Sequence, residues 1–219
     1  MQQDDLPEAE DAPANDRIQA LSDGVFAFAM TLLVLGILVP NPSEVPSNQL
    51  ARHVLAQRPS FFVWVLSFLV IGSFWSAHHR LFRELRSHDD RLIVLNLIVL
   101  LFVAFMPYPT ALIGRYSHSQ FAVVLYAGSM FLTSSALSLI SFHTLRVPAL
   151  ARSEAARARI KAGLWRGLSL QAICIISVAV SFLSLSAAML CWALIPFARR
   201  VVTARLSVLP RRVRLGGRR

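Results

Sequence analysis

Apolar residues in this chain fall in long runs broken by short polar or basic punctuation, unlike the alternating or one-faced patterns of soluble domains. The first run covers residues 21–39, carries a single acid near its start and is stopped by Pro40-Asn41-Pro42. Ser22 or Asp23 is its expected N-cap. Residues 48–58 then place Leu50, Val54 and Leu55 on one helical face, opposite Arg52 and Arg58. That is the pattern of a short helix lying in a membrane interface. Pro59 opens a second run, residues 61–82, which ends in Trp75-Ser76-Ala77-His78-His79-Arg80. The third, residues 92–113, holds Pro107 and Pro109 near its far end, where they should kink or end the helix. The fourth, residues 121–145, carries Thr133, Ser134, Ser135, Ser138 and Ser141, small hydroxyls suited to close helix contacts in lipid. A basic linker over 146–161 leads to an uncharged stretch, residues 167–198. One helix of that length would extend roughly 48 Å against a hydrocarbon core of about 30 Å. Two crossings with a tight turn near 181–186 are therefore expected.

The predicted fold is an all-α integral membrane protein with six transmembrane helices. Residues 1–16, acidic and without apolar periodicity, read as a disordered tail; residues 17–205 form the six-helix domain and 206–219 a basic cytoplasmic tail. The head is not a secretory signal, since it lacks the positive start and small-residue cleavage site.

Composition supports this division. Of 219 residues 55% are hydrophobic and 16% charged, against about a quarter charged in soluble domains, and the two cysteines sit inside apolar runs. A soluble enzyme, a disordered protein and a disulfide-stapled secreted domain are disfavoured. Six of the 12 acids precede the first base, leaving 22 bases against six acids from residue 17 onward and a body near +16. Such a balance invites a nucleic-acid partner, but the bases lie between apolar runs rather than along one binding face. Six crossings put 19 bases on one side of the membrane and three, Arg52, Arg58 and Arg115, on the other. By the positive-inside rule the nineteen, and with them both termini, are cytoplasmic. The arginines of 199–219 read as a topological anchor beside anionic headgroups, with no nucleic-acid role.

Two groups could carry chemistry. Asp23 is the only acid closely attached to an apolar run. Either Ser22 and Asp23 cap the helix while Arg17 follows the charge rule, or the three belong to a buried polar lock. The first run leaves the cytoplasm and the second returns, so Asp23 and the His78-His79 pair lie at similar depth. A carboxylate at the edge of lipid needs a partner, and a histidine or arginine is the natural one. The adjacent histidines point about 100° apart and lack the i, i+4 spacing of a two-imidazole metal site, so no metal is expected. Cys174 and Cys191 lack metal or redox spacing.

The second group is a stripe. On a helical wheel Gly24, Phe28, Leu32, Leu35 and Val39 lie within about 40° of Phe28, with Thr31 at about 60° and Ser22 and Asp23 roughly 120–140° away. It is either lipid-facing or bundle surface, or the wall of a pore. It holds no charge ring and no glycine-rich filter, so a pore here would gate through a narrow apolar constriction that dewets.

These residues resemble the transmembrane protein 175 family, the potassium channels of endosomes and lysosomes with their bacterial homologues. The family motif Arg-x-x-x-Phe-Ser-Asp is matched at Arg17, Ser22 and Asp23, with Leu21 in place of the phenylalanine. The following Gly-Val-Phe-Ala, the Thr31-Leu32-Leu33-Val34-Leu35 segment, the Trp75 to His79 end of the second run and Phe105-Met106-Pro107-Tyr108-Pro109-Thr110 also look like the bacterial members. The resemblance implies a homotetramer in a bacterial cell membrane, four copies of the first helix lining one pore. It implies potassium passing in preference to sodium, no cofactor and no catalysis. Carried over by position, Phe28 takes the place of the aliphatic constriction residue, and Thr31, Leu32 and Leu35 line the path. A membrane-embedded enzyme using Asp23 with His78 and His79 is the rival, and needs the three to converge on a water-filled pocket. A proton-coupled transporter would call for internal repeats, and the sequence has none.

Overall fold

Among the described residues the long apolar runs have become helices, and the differences lie at their ends. The computed structural model describes residues 11–193. Residues 1–10 of the acidic head and everything from 194 onward, with the end of the sixth crossing and the 206–219 tail, lie outside the described residues.

The first helix, α1, is Asp11–Leu32, continued by a 3-10 turn Leu33–Gly36, after which Ile37 is extended. It starts before the expected residue 21 and replaces a disordered tail over 11–16, because the one proline there, Pro13, falls in the first turn where its missing N–H costs little. Ser22 and Asp23 consequently sit mid-helix and cap nothing. A 3-10 turn Ser47–Gln49 leads into α2, Leu50–Ala56, all of whose residues are exposed, Arg52 as well as Leu50, Val54 and Leu55. The second crossing, α3, is Arg58–Phe82, with Pro59 in its first turn.

The third run divides as its prolines dictate. α4, Asp90–Phe105, is capped by the Asp89 carboxylate, which accepts from the Leu92 N–H at 2.8 Å, and α5, Pro107–Arg115, restarts after Met106. The fourth crossing, α6, is Gln120–Arg146. The expected basic linker is much shorter than 146–161. α7 is Glu154–Ser181, opened by the Ser153 hydroxyl accepting from the Ala156 N–H at 3.1 Å. Arg157, Arg159 and Lys161 are good helix formers once such a cap precedes them. The chain turns at Phe182, Leu183 and Ser184 into α8, Leu185–Ala193, as the length argument required.

Among the described residues five stretches are long and apolar enough to cross a membrane: Asp16–Gly36, Arg58–Phe82, Asp90–Arg115, Gln120–Arg146 and Glu154–Ser181. Their shared core joins Phe26 of α1 and Leu33 of the 3-10 turn after it to Ile71 of α3, Val103 of α4 and Met130 of α6. In lipid, packing and hydrogen bonds hold such helices, since the tails are as apolar as the side chains. Ser67 of α3 and Tyr126 of α6 share a bond of 2.8 Å, and Thr110 of α5 donates to Ser67 at 3.1 Å. The hydroxyl-rich face of α6 divides its labour. Ser134 donates to the Gly167 carbonyl of α7 and Ser138 accepts from Gln171, whereas Thr133 and Ser141 bond carbonyls of their own helix.

Gly167 makes that contact possible: a Cβ there would stand 2.6 Å from the Ser138 hydroxyl oxygen. Gly167→Leu should therefore lower unfolding stability in detergent by about 1–3 kcal/mol, the cost of overpacking. A melting temperature equal to that of the unaltered protein would show that α6 and α7 need no close approach here.

On the arginine-rich side two loops are clamped together. The Arg152 N–H bonds the Glu84 carbonyl, its Nε bonds the Leu85 carbonyl, and the Glu84 carboxylate takes two bonds of 2.7 Å from Arg159. Those bonds hold the Glu84 carboxyl below the usual carboxylate range. A depressed folded pKa contributes stability that is present above the ordinary carboxylate pKa and lost as pH falls through the lowered one. Melting temperatures taken from pH 7 down to pH 3 should show this loss, and Glu84→Gln should remove that part of the slope; an unchanged slope would leave the clamp without weight.

Candidate functional site

α1 has two faces with opposite fates. Ser22, Phe26, Ala29 and Leu33 are buried against α3 and α4. Gly24, Phe28, Thr31 and Leu35 are exposed, Phe28 by 65% and Leu35 by 71%, and Leu32 is half-buried between them. The predicted stripe is thus the side of the helix that no described element covers. It holds its register to Leu32. Beyond, the 3-10 winding of three residues per turn stacks Leu35 over Leu32, and Val39 lies past the helix altogether, so the stripe is shorter than a straight α-helix would make it. The Thr31 hydroxyl donates to the Phe28 carbonyl at 2.8 Å, which leaves its oxygen lone pairs facing outward.

The buried face carries the polar lock, and its pairing differs from the expected one. Asp23 accepts from the indole N–H of Trp75 at 2.7 Å, where a histidine or arginine was expected. Trp75 stacks on His79 at 5.5 Å, and His79 Nδ1 accepts from the Gln19 amide at 2.8 Å. Ser22 belongs to a second set. Its hydroxyl donates to the Ile18 carbonyl at 2.8 Å and accepts from Asn96 Nδ2 at 3.1 Å, while Asn96 Oδ1 lies 2.7 Å from His78 Nε2. Because the amide nitrogen is committed to Ser22, the amide oxygen faces His78, which donates from Nε2. The ring is fully buried, stacked on Phe82 at 4.2 Å and 5.5 Å from Phe26, and its Nδ1 has no partner among the described residues. A neutral imidazole protonated at Nε2 suits those surroundings. Arg17, one turn before the lock, is exposed.

Asp23, His78 and His79 therefore bond to Trp75, Asn96 and Gln19 rather than to one another. The enzyme reading required their convergence on a wet pocket, and the fold instead seals His78 among aromatic rings. Sequence reasoning missed Asn96 as the centre of the lock. Its signal was available: Asn96 is the one strongly polar side chain within the apolar turns of α4, and such a residue in a membrane helix calls for a partner. Gln19 and Trp75 carried no comparable mark.

Part of the chain is similar to known proteins. Residues 17–107 match the family model described as endosomal/lysosomal potassium channel TMEM175. A potassium channel of Streptomyces collinus is 41% identical over 135 residues, covering 59% of this chain and 64% of the relative. A potassium channel of Chamaesiphon minutus is 38% identical over 126 residues, covering 56% and 62%. The chain thus spans less than two thirds of the length of these curated relatives. The crystal structure of a Chamaesiphon minutus homologue of the lysosomal potassium-selective channel TMEM175 superposes with a TM-score of 0.76 at 28% identity, covering 87% of this chain and 98% of that one. The motif, the lock around it, the uncovered stripe and the proline break all fall within residues 17–107, the stretch that is similar to this family.

Proposed function

We propose that the chain is the protomer of a homotetrameric leak channel in a bacterial plasma membrane, conducting potassium in preference to sodium through a pore lined by α1. The observation that carries this reading is the division of α1: one face fastened by Ser22, Asp23 and Phe26, the other, with Phe28, Thr31 and Leu35, left uncovered by its own chain. Four copies around an axis would cover that face, and the relatives' names as potassium channels supply the permeant ion. Phe28 and Leu35 then form an apolar constriction whose dewetting blocks ions, and the Thr31 oxygens, their protons turned to the Phe28 carbonyls, offer lone pairs to a cation. The lock fixes the rotation of α1, so the stripe cannot roll into the bundle. With 19 of 22 bases on one side, both termini lie in the cytoplasm.

Reconstitution tests this. Liposomes loaded with potassium and placed in a sodium medium should release potassium without any coupled proton or sodium gradient, and light scattering in detergent should give a mass of four chains. Absence of flux from a correctly folded tetramer would overturn the reading.

A further inference from the structure

A cavity of about 360 Å³ opens between the last turns of α3, the second half of α6 and the first half of α7, on the arginine-rich side of the membrane. Its cationic lining is Arg80, Arg83, Arg159 and Arg166, and Glu84 is the one acid among the lining residues. Glu84 is already committed to Arg159 through two bonds of 2.7 Å, and among the described residues Arg80, Arg83 and Arg166 make no salt bridge to a carboxylate. Arg80 donates to the Ser76 hydroxyl on its own helix. Arg166 lies about three turns inside α7, beside Gly167, which accepts from Ser134 of α6. Its Nε is buried and has no hydrogen-bond partner among the described residues. A guanidinium at that depth with an unmet donor is costly and marks a place where an anion is expected.

The rest of the lining narrows the class of anion. Phe74, Leu137 and Ile160 supply apolar wall, and the hydroxyls of Ser138 and Ser141 stand on the same side as the arginines. Cationic donors beside apolar surface, at the arginine-rich end of membrane helices, suit a phosphate that arrives on an acyl chain. The volume falls at the lower end of the range of small-molecule sites. The space beside Gly163 is open, since a Cβ on it would meet nothing within 4 Å, and a bulky side chain there would enter the cavity it lines.

We propose that this cavity binds the phosphate headgroup of an anionic lipid of the arginine-rich leaflet, with Arg80 and Arg166 holding the phosphate oxygens. This does not rest on conduction; a channel of any selectivity, or none, could carry it.

The test uses the full chain in detergent, with binding followed by melting temperature and native mass spectrometry. Dioctanoyl-phosphatidylglycerol should bind saturably and stabilise the protein, and dioctanoyl-phosphatidylcholine should not. Arg80→Gln with Arg166→Gln should weaken the glycerol lipid roughly thirtyfold, on the scale of one arginine contact each. Gly163→Phe should abolish binding with every arginine in place, which keeps the proposal testable even where the double variant fails to fold. Arg91→Gln, outside the cavity, should change nothing. Equal binding of the two lipids, retention of binding in Gly163→Phe, or an equal effect of Arg91→Gln would overturn the site. Sodium phosphate that stabilises as well as the lipid at the same concentration would overturn the lipid as its source.

Discussion

Replacing Phe28 by alanine raises the potassium conductance of the reconstituted protein about fivefold and leaves its stability within about 0.5 kcal/mol of the parent. Both halves of this expectation follow from one observation, the 65% exposure of Phe28 in the single chain. A side chain that touches little of its own protomer contributes little to folding, so truncating it opens no cavity in the core. If four such rings meet at an axis, they form the narrowest apolar point of the path. Removing them lowers the cost of wetting it by about 1 kcal/mol, which is the stated factor. Leu35→Ala should act in the same direction by less, since the 3-10 turn stacks Leu35 over Leu32, which stays in place to line the path. The measurement is single-channel conductance in planar bilayers. Unchanged conductance in Phe28→Ala would take that residue out of the bottleneck and return the stripe to a lipid-facing role.

Asn96→Leu lowers unfolding stability by about 2–3 kcal/mol. The substitution nearly keeps the volume but strands the buried His78 Nε2–H, which loses its 2.7 Å bond, and takes from the Ser22 hydroxyl the 3.1 Å bond it accepts, leaving Ser22 only its bond to the Ile18 carbonyl. Each unpaired polar group buried away from water costs about 1–3 kcal/mol, with membrane pairs toward the lower end. The diagnostic result is non-additivity. His78→Phe keeps the ring stacked between Phe26 and Phe82 and needs no acceptor, so His78→Phe combined with Asn96→Leu should lose less than the sum of the two. Thermal unfolding in detergent reads all four corners of the cycle. Strict additivity would show that Asn96 and His78 are not coupled and that the lock depends on the Asp23–Trp75 bond instead.

Much of the architecture was legible before any coordinates. The break at Met106 follows from Pro107, and the turn at Phe182–Ser184 from a run too long for one helix. Helix beginnings were read less well. Hydropathy locates where a helix becomes apolar, not where its backbone bonds start, and both α1 and α7 begin in polar sequence well before that point. Ser22 and Asp23 were open to a capping role only because the polar turns from Asp11 onward carry no apolar signal.

The sequence alone determined how many apolar crossings to expect, where prolines interrupt them, and that Ser22 and Asp23 point away from Phe28. These are consequences of run length, of proline chemistry and of 100° per residue, all local to the chain. Only the tertiary structure decided that Asp23 pairs with Trp75, that Asn96 joins Ser22 to His78, and that Gln19 reaches His79. The physical reason is rotational. Depth along a membrane helix is set by hydropathy, so sequence brings polar groups to the same level; which of them meet depends on how each helix is turned about its axis, and that is settled by packing against its neighbours.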